Sequence, residues 1–239
     1  MSIIAPSPDP VDPRRFSIRL PRPLWIGVAT VMLVVGTAGL RFGVPIYRKQ
    51  MAVSAIERLG GLAQTSPGGP NWLQHWVGYP WTRPLDDVRE VVLQHSKATD
   101  LDLVHFNELT SLQGLNLTGT QVGDAGLAHL QELPNLKELK LMSTQVTDRG
   151  LAHLGEMEPL EVVDLRFTQI SDAGLPHISR LTKLRYLDLR YTRVTNAGLV
   201  HLHRLTGLKD LALDKGQVTD AQVSDLNRVL PRLTVHRME

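Results

Sequence analysis

A period of 24 residues constrains this chain more than any other feature. Leu109, Leu133, Met157, Leu181 and Leu205 stand 24 apart, and each opens a unit of one design. The units read LTSLQGLNLTGTQVGDAGLAHLQE, LPNLKELKLMSTQVTDRGLAHLGE, MEPLEVVDLRFTQISDAGLPHISR, LTKLRYLDLRYTRVTNAGLVHLHR and LTGLKDLALDKGQVTDAQVSDLNR. Such a period marks a stacked solenoid, because no unit of this size can bury its apolar face except against its neighbours. A weaker sixth copy spans 85–108, with Leu85, Val88, Val91, Leu93, Asp100, Leu103, His105 and Phe106 in phase. After one inserted residue, LPRLTVH at 230–236 reads as a last strand.

Within a unit the apolar spacing changes. Leu112, Leu115 and Leu117 mark a short strand, the last two alternating about Asn116. Val122 begins the return, and Asp124 or its neighbour is expected to cap a helix with Leu127, Leu130 and Leu133 inward. Strand followed by helix, with consecutive strands parallel, requires a right-handed crossover in every unit. The pattern L-x-x-L-x-L-x-x-T, in phase over 85–236, resembles the leucine-rich repeat family, whose pattern has Asn or Cys in place of the Thr. The resemblance implies an α/β right-handed leucine-rich-repeat solenoid with parallel strands on its concave face. Thr120, Thr144, Thr168 and Thr192 hold the position of that ladder, where a hydroxyl can bond the backbone of the adjacent coil. Gly216 breaks the series, so the ladder is expected to loosen in the last full unit.

The region before the repeats has a different character. Residues 1–23 contain six prolines and read as an extended basic arm. The stretch LWIGVATVMLVVGTAGL at 24–40 carries no charge, and Phe42, Val44, Ile46 and Tyr47 extend it into a transmembrane segment assigned to 24–47. A cleaved signal peptide is the alternative; the long leading region and the poor cleavage site favour a retained anchor. Four arginines precede the span and three basic residues follow it, a bias that puts the solenoid on the non-cytoplasmic side. Residues 48–84 then comprise an amphipathic helix closing at Gly60-Gly61, a turn-rich joint GGLAQTSPGGP, and a Trp-rich element. The helix pattern starts at Tyr47, with Met51, Ala52, Ala55, Ile56 and Leu59 as its apolar face. Residues 85–239 form the solenoid. This layout also resembles bacterial proteins, abundant in planctomycetes, that join a membrane segment, a basic helix similar to AVSAIERLGG, a WL element and T-x-V-T-D-A-G-L repeats. That resemblance implies a bacterial, membrane-anchored context.

Trp72, Trp76, Tyr79 and Trp81 in the joint read as a cover for the open end of the solenoid. An interfacial aromatic belt and a sugar-stacking site are the competing functional readings, the latter making the chain an envelope glycan-binding or enzyme-accessory protein. His105, His129, His153, His177 and His201 also recur every 24 residues. Helices packed about 8–10 Å apart cannot converge such side chains on bonds of about 2 Å, so they read as repeat consensus and no metal is expected. The chain has no cysteine, which removes disulfides, thiolate zinc sites and a thiol nucleophile. No hydrolase or nucleotide-binding signature occurs, and no cofactor or catalytic activity is expected.

Specificity belongs to positions that vary between units. Three outward columns run Glu90, Gly114, Glu138, Val162, Tyr186, Asp210; Val92, Asn116, Lys140, Asp164, Asp188, Ala212; and Gln94, Thr118, Met142, Arg166, Arg190, Asp214. With strands about 4.8 Å apart, Asp164, Arg166, Asp188 and Arg190 make one mixed-charge patch, flanked by Phe167, Tyr186 and Tyr191. Arg beside Tyr is the composition of binding hot spots; alternatively, these charges pair with each other and keep the sheet face soluble. The seven residues are the candidate site for a protein partner. Charge argues against nucleic acid. Residues 1–60 carry eight basic and three acidic groups, while 61–239 carries 18 basic and 21 acidic, so the basicity belongs to the flanks of the anchor.

Overall fold

The computed structural model describes residues 44–67 and 86–238. Helix α1 (Val44–Arg58) leads into β1 (Leu62–Ser66). There follow β2 (Asp87–Val92), β3 (Gly114–Asn116), β4 (Glu138–Lys140), β5 (Val162–Asp164), β6 (Tyr186–Asp188), β7 (Asp210–Asp214) and β8 (Thr234–Met238). All eight strands lie in one sheet in chain order. From β2 to β8 each pair is parallel, and the 24-residue period is the register itself: Leu115 faces Leu139, Val163 faces Leu187. The three outward columns therefore align as the sequence spacing requires.

The returns carry α2 (Asp124–Leu130), α3 (Asp148–Leu154), α4 (Leu175–Ile178) and α5 (Asp220–Val229), with 3₁₀ turns at Asp100–Glu108 and Gly198–Arg204. One core runs the length of the stack. Each unit supplies the same set, for example Leu112, Leu115, Leu117, Val122, Leu127, Leu130 and Leu133, all at most 1% exposed. Pro176 in the first turn accompanies the shortening of α4 to one turn.

Two local expectations change. The joint is not only turns: Leu62–Ser66 pairs antiparallel with β2. An open strand edge leaves a row of unmade backbone bonds, and β1 satisfies them. Gly60 turns the chain at φ +72°, and a Cβ on Gly61 would lie 2.5 Å from Leu93 Cδ2, so both glycines are required. Helix α1 packs Ala52, Ala55 and Ile56 into the core, whereas Met51 is 41% exposed. Thus α1 and β1 cover the N-terminal end; Trp72, Trp76, Tyr79 and Trp81 lie outside the described residues.

The aspartates do not cap their own helices; the neighbour before them does in two units, where Thr147 accepts from Arg149 N and Thr219 from Gln222 N. Asp124 accepts from Thr147 N at 2.8 Å and Thr147 Oγ1 at 2.6 Å, in the next coil. Asp148 does the same to Ser171, and Asp172 to Thr195. Asp100 accepts from Gly123 N, and Asn196 from Thr219 N. A carboxylate placed at the coil boundary finds unmade donors of the next unit closer than those of its own helix. The threonine ladder, expected to reach the adjacent coil, instead works within its own: Thr120, Thr144, Thr168 and Thr192 donate to the carbonyls of Leu117, Leu141, Leu165 and Leu189 at 2.6–2.7 Å. Where Gly216 lacks the hydroxyl, Gln217 Nε2 donates to Thr192 O at 2.7 Å and bridges the two coils.

Residues 44–47 of the expected membrane segment open α1, and the rest of it, with the arm before it, lies outside the described residues. Among the described residues no helix is long and apolar enough to cross a membrane.

Candidate interaction surface

Strands β5 and β6 end on Asp164 and Asp188, and two residues on stand Arg166 and Arg190. Both carboxylates are buried, at 4% and 0% exposure. Each takes a two-pronged grip from the arginine of its own unit. Arg166 Nε and Nη2 donate to Asp164 Oδ1 and Oδ2 at 3.0 and 2.6 Å. Arg190 repeats this on Asp188 at 2.9 and 2.6 Å. Arg166 Nε also lies 3.4 Å from Asp188 Oδ2, which links the two units, and Tyr186 donates its phenol to that same oxygen at 3.1 Å. The hydrogen bond that Arg166 donates to Asp164 raises the Arg166 pKa, with burial opposing it, and the bond to Asp188 does the same for Arg190. Both stay cationic, and the cluster holds two cations against two anions.

The charges of the candidate site are therefore satisfied within it, and a different pair is left facing outward. Phe167 and Tyr191 stack with centroids 4.1 Å apart and planes 8° from parallel. They are 49% and 48% exposed. Both adopt left-handed backbone, φ 55° and 56°. His95, Gly119 and Ser143 occupy the same column with φ 57°, 68° and 55°, so the conformation belongs to the repeat. Only in these two adjoining units does a large aromatic residue fill it. Sequence spacing placed Phe167 and Tyr191 beside the patch; the glycine at position 119 was the one sign of the backbone they adopt. Spacing did not single out two supports of this surface: Asp214 Oδ2, which accepts Tyr191 N at 2.6 Å, and Met238 Sδ, which receives Arg190 Nη1 at 2.7 Å.

The histidine column lies on the helical side. His153 Nδ1 meets Gln131 Oε1 at 3.1 Å, and no cluster suited to a metal ion occurs among the described residues.

A sheet of parallel strands in 24-residue register, returned through short helices over one leucine core, is a leucine-rich-repeat solenoid. A family model described as Leucine Rich repeat matches residues 108–130, 132–155, 157–175 and 180–202, and these stretches form a leucine-rich-repeat domain. No curated protein matches the chain significantly in sequence. Among solved structures, internalin C2 (inlC2) of Listeria monocytogenes is similar at 22% identity and a TM-score of 0.47, over 64% of this chain and 74% of that one. An internalin (inlF) of the same organism gives 24% and 0.46, over 62% of this chain and 46% of that one.

Proposed function

We propose that the chain is a bacterial membrane-anchored scaffold whose solenoid captures a protein partner through the face around Phe167 and Tyr191. The observation that carries this is the stacked, half-exposed aromatic pair held in left-handed backbone. For an L-residue that conformation costs about 1–2 kcal/mol, and ring stacking returns only about 0.5–1.5 kcal/mol. Gly119 shows that the position accepts a residue without strain. His95 and Ser143 carry the same backbone in the same column, so what sets Phe167 and Tyr191 apart is the surface they offer to another molecule, half-exposed rings beside guanidinium groups being anchors of protein interfaces. The paired charges around them orient polar groups of the partner and leave no net charge to neutralise.

The arginines are poor probes of this reading, because removing either strands a buried carboxylate at a cost of about 3–5 kcal/mol. The aromatic pair is a clean one. Phe167→Gly with Tyr191→Gly should leave the melting temperature unchanged or slightly raised and abolish photo-crosslinking of a partner from a probe at Thr118 or Met142. Undiminished crosslinking by the well-folded double variant would sink the proposal.

The anchor is the other half. The uncharged run at 24–40 supports retention in the membrane, with the solenoid on its non-cytoplasmic side.

A further inference from the structure

A second surface lies at the opposite ends of the strands, where the chain enters β6, β7 and β8. There a cleft of about 630 Å³ opens, lined among others by Lys183, Arg185, Lys209 and Arg232. Its two carboxylates are already engaged. Glu161 lies between Arg185, at 3.3 Å, and Lys137, at 3.7 Å, while Asp210 holds His236 at 2.9 Å. Lys183, Lys209 and Arg232 are exposed and have no carboxylate within ion-pair reach among the described residues. The gap between the two loops depends on Gly207: a Cβ there would come within 3.1 Å of Thr182 O. Beside the cleft is a hollow of about 300 Å³ that shares Thr206, Leu208 and Arg232 with it and adds Val229, Leu230 and Pro231. Val229 is 49% exposed.

We infer that this double site binds a phosphate-bearing amphiphile, the phosphate among Lys183, Lys209 and Arg232 and the apolar part across Val229 and Pro231. Three uncompensated cations supplied by three successive levels of the solenoid call for a group with several acceptor oxygens and more than one possible contact, which a phosphate provides. A carboxylate offers only two oxygens. The joined volumes fall in the range of small-molecule sites, and the apolar hollow next to the basic one selects a ligand with both characters. Neither the aromatic pair nor a protein partner enters this inference, so it stands or falls separately from the function proposed above.

The test follows amide resonances of Gly207 and Lys209 in the purified full-length chain during titration with dihexanoyl-phosphatidylglycerol below its micelle concentration. Glycerol phosphate and a neutral alkyl glucoside are titrated in parallel. The expected result is saturable shifts with the phospholipid, binding at least about tenfold weaker for glycerol phosphate, and no shift with the glucoside. Lys209→Ala and Arg232→Ala should each weaken binding about tenfold, and Arg149→Ala, on the helical side, should not. Local readout matters because the arginines of residues 1–23 attract anionic lipid on their own account. Absence of shifts at Gly207 and Lys209 overturns the inference. So does equal affinity for glycerol phosphate, or an Arg149→Ala loss as large as the other two.

Discussion

Tyr186 shows how finely single residues are set on this surface. Burial, then the charge of Asp188, then the hydrogen bond to it, all raise the Tyr186 pKa above its ordinary 10.0. The folded protein thus holds the phenolic proton to a higher pH than the unfolded chain does. Stability from this group is whole below about pH 10 and is lost as pH rises through the folded value. Tyr186→Phe is expected to flatten the alkaline fall in melting temperature; parallel curves for the two proteins would show that the phenol does not contribute. Phe167 and Tyr191 follow a different logic at the same scale. Their types and positions were readable from the 24-residue spacing, but their stacking depends on a left-handed backbone that no residue type in the column except Gly119 announces.

Between elements, the device that joins successive units is an aspartate and a glycine acting together. In the D-x-G-L stretch of the units opening at Leu109, Leu133 and Met157 the aspartate of one coil bonds the backbone and hydroxyl of the next, as Asp124 does to Thr147. The glycine makes room for it: a Cβ on Gly150 would lie 2.5 Å from Asp124 Oδ1, and one on Gly174 equally close to Asp148 Oδ1. Gly150→Ala is therefore expected to destabilise by about 1–3 kcal/mol through overpacking, measured by denaturant unfolding. Asp124→Ala combined with Gly150→Ala should cost less than the sum of the two single changes, because the clash disappears with the carboxylate. Additive effects would mean that the two residues act independently. The repeat made the aspartate legible, as a helix cap, and gave the glycine no separate role. Their partnership was not legible, because a helix N-cap and an inter-coil bridge use the same residue at the same position and differ only in which coil supplies the donors.

For the whole molecule, stability accumulates along one dimension, each unit resting on the one before it, so both ends need cover. At the N-terminal end α1 and β1 provide it, the strand by completing the sheet edge and the helix by burying Ile56 and its neighbours. At the other end α5 sends Leu226 into the core and keeps the rest of its surface largely polar. Membrane attachment also belongs to this scale. Alkaline carbonate extraction should leave the full chain in the membrane pellet and release a chain lacking 24–43; release of both would refute the anchor.

The sequence by itself determined the unit, its register and its core, because a leucine every few residues at a fixed period admits only one way of hiding apolar surface. It also placed seven residues of the candidate surface near one another. Tertiary structure decided how those residues divide the work. Only packing could show that Asp164 and Asp188 are buried beneath their own arginines, and that Phe167 and Tyr191 remain outside. Side-chain pairing depends on distances of a few ångströms between coils, and a one-dimensional period fixes the spacing of residues but not the partners they choose.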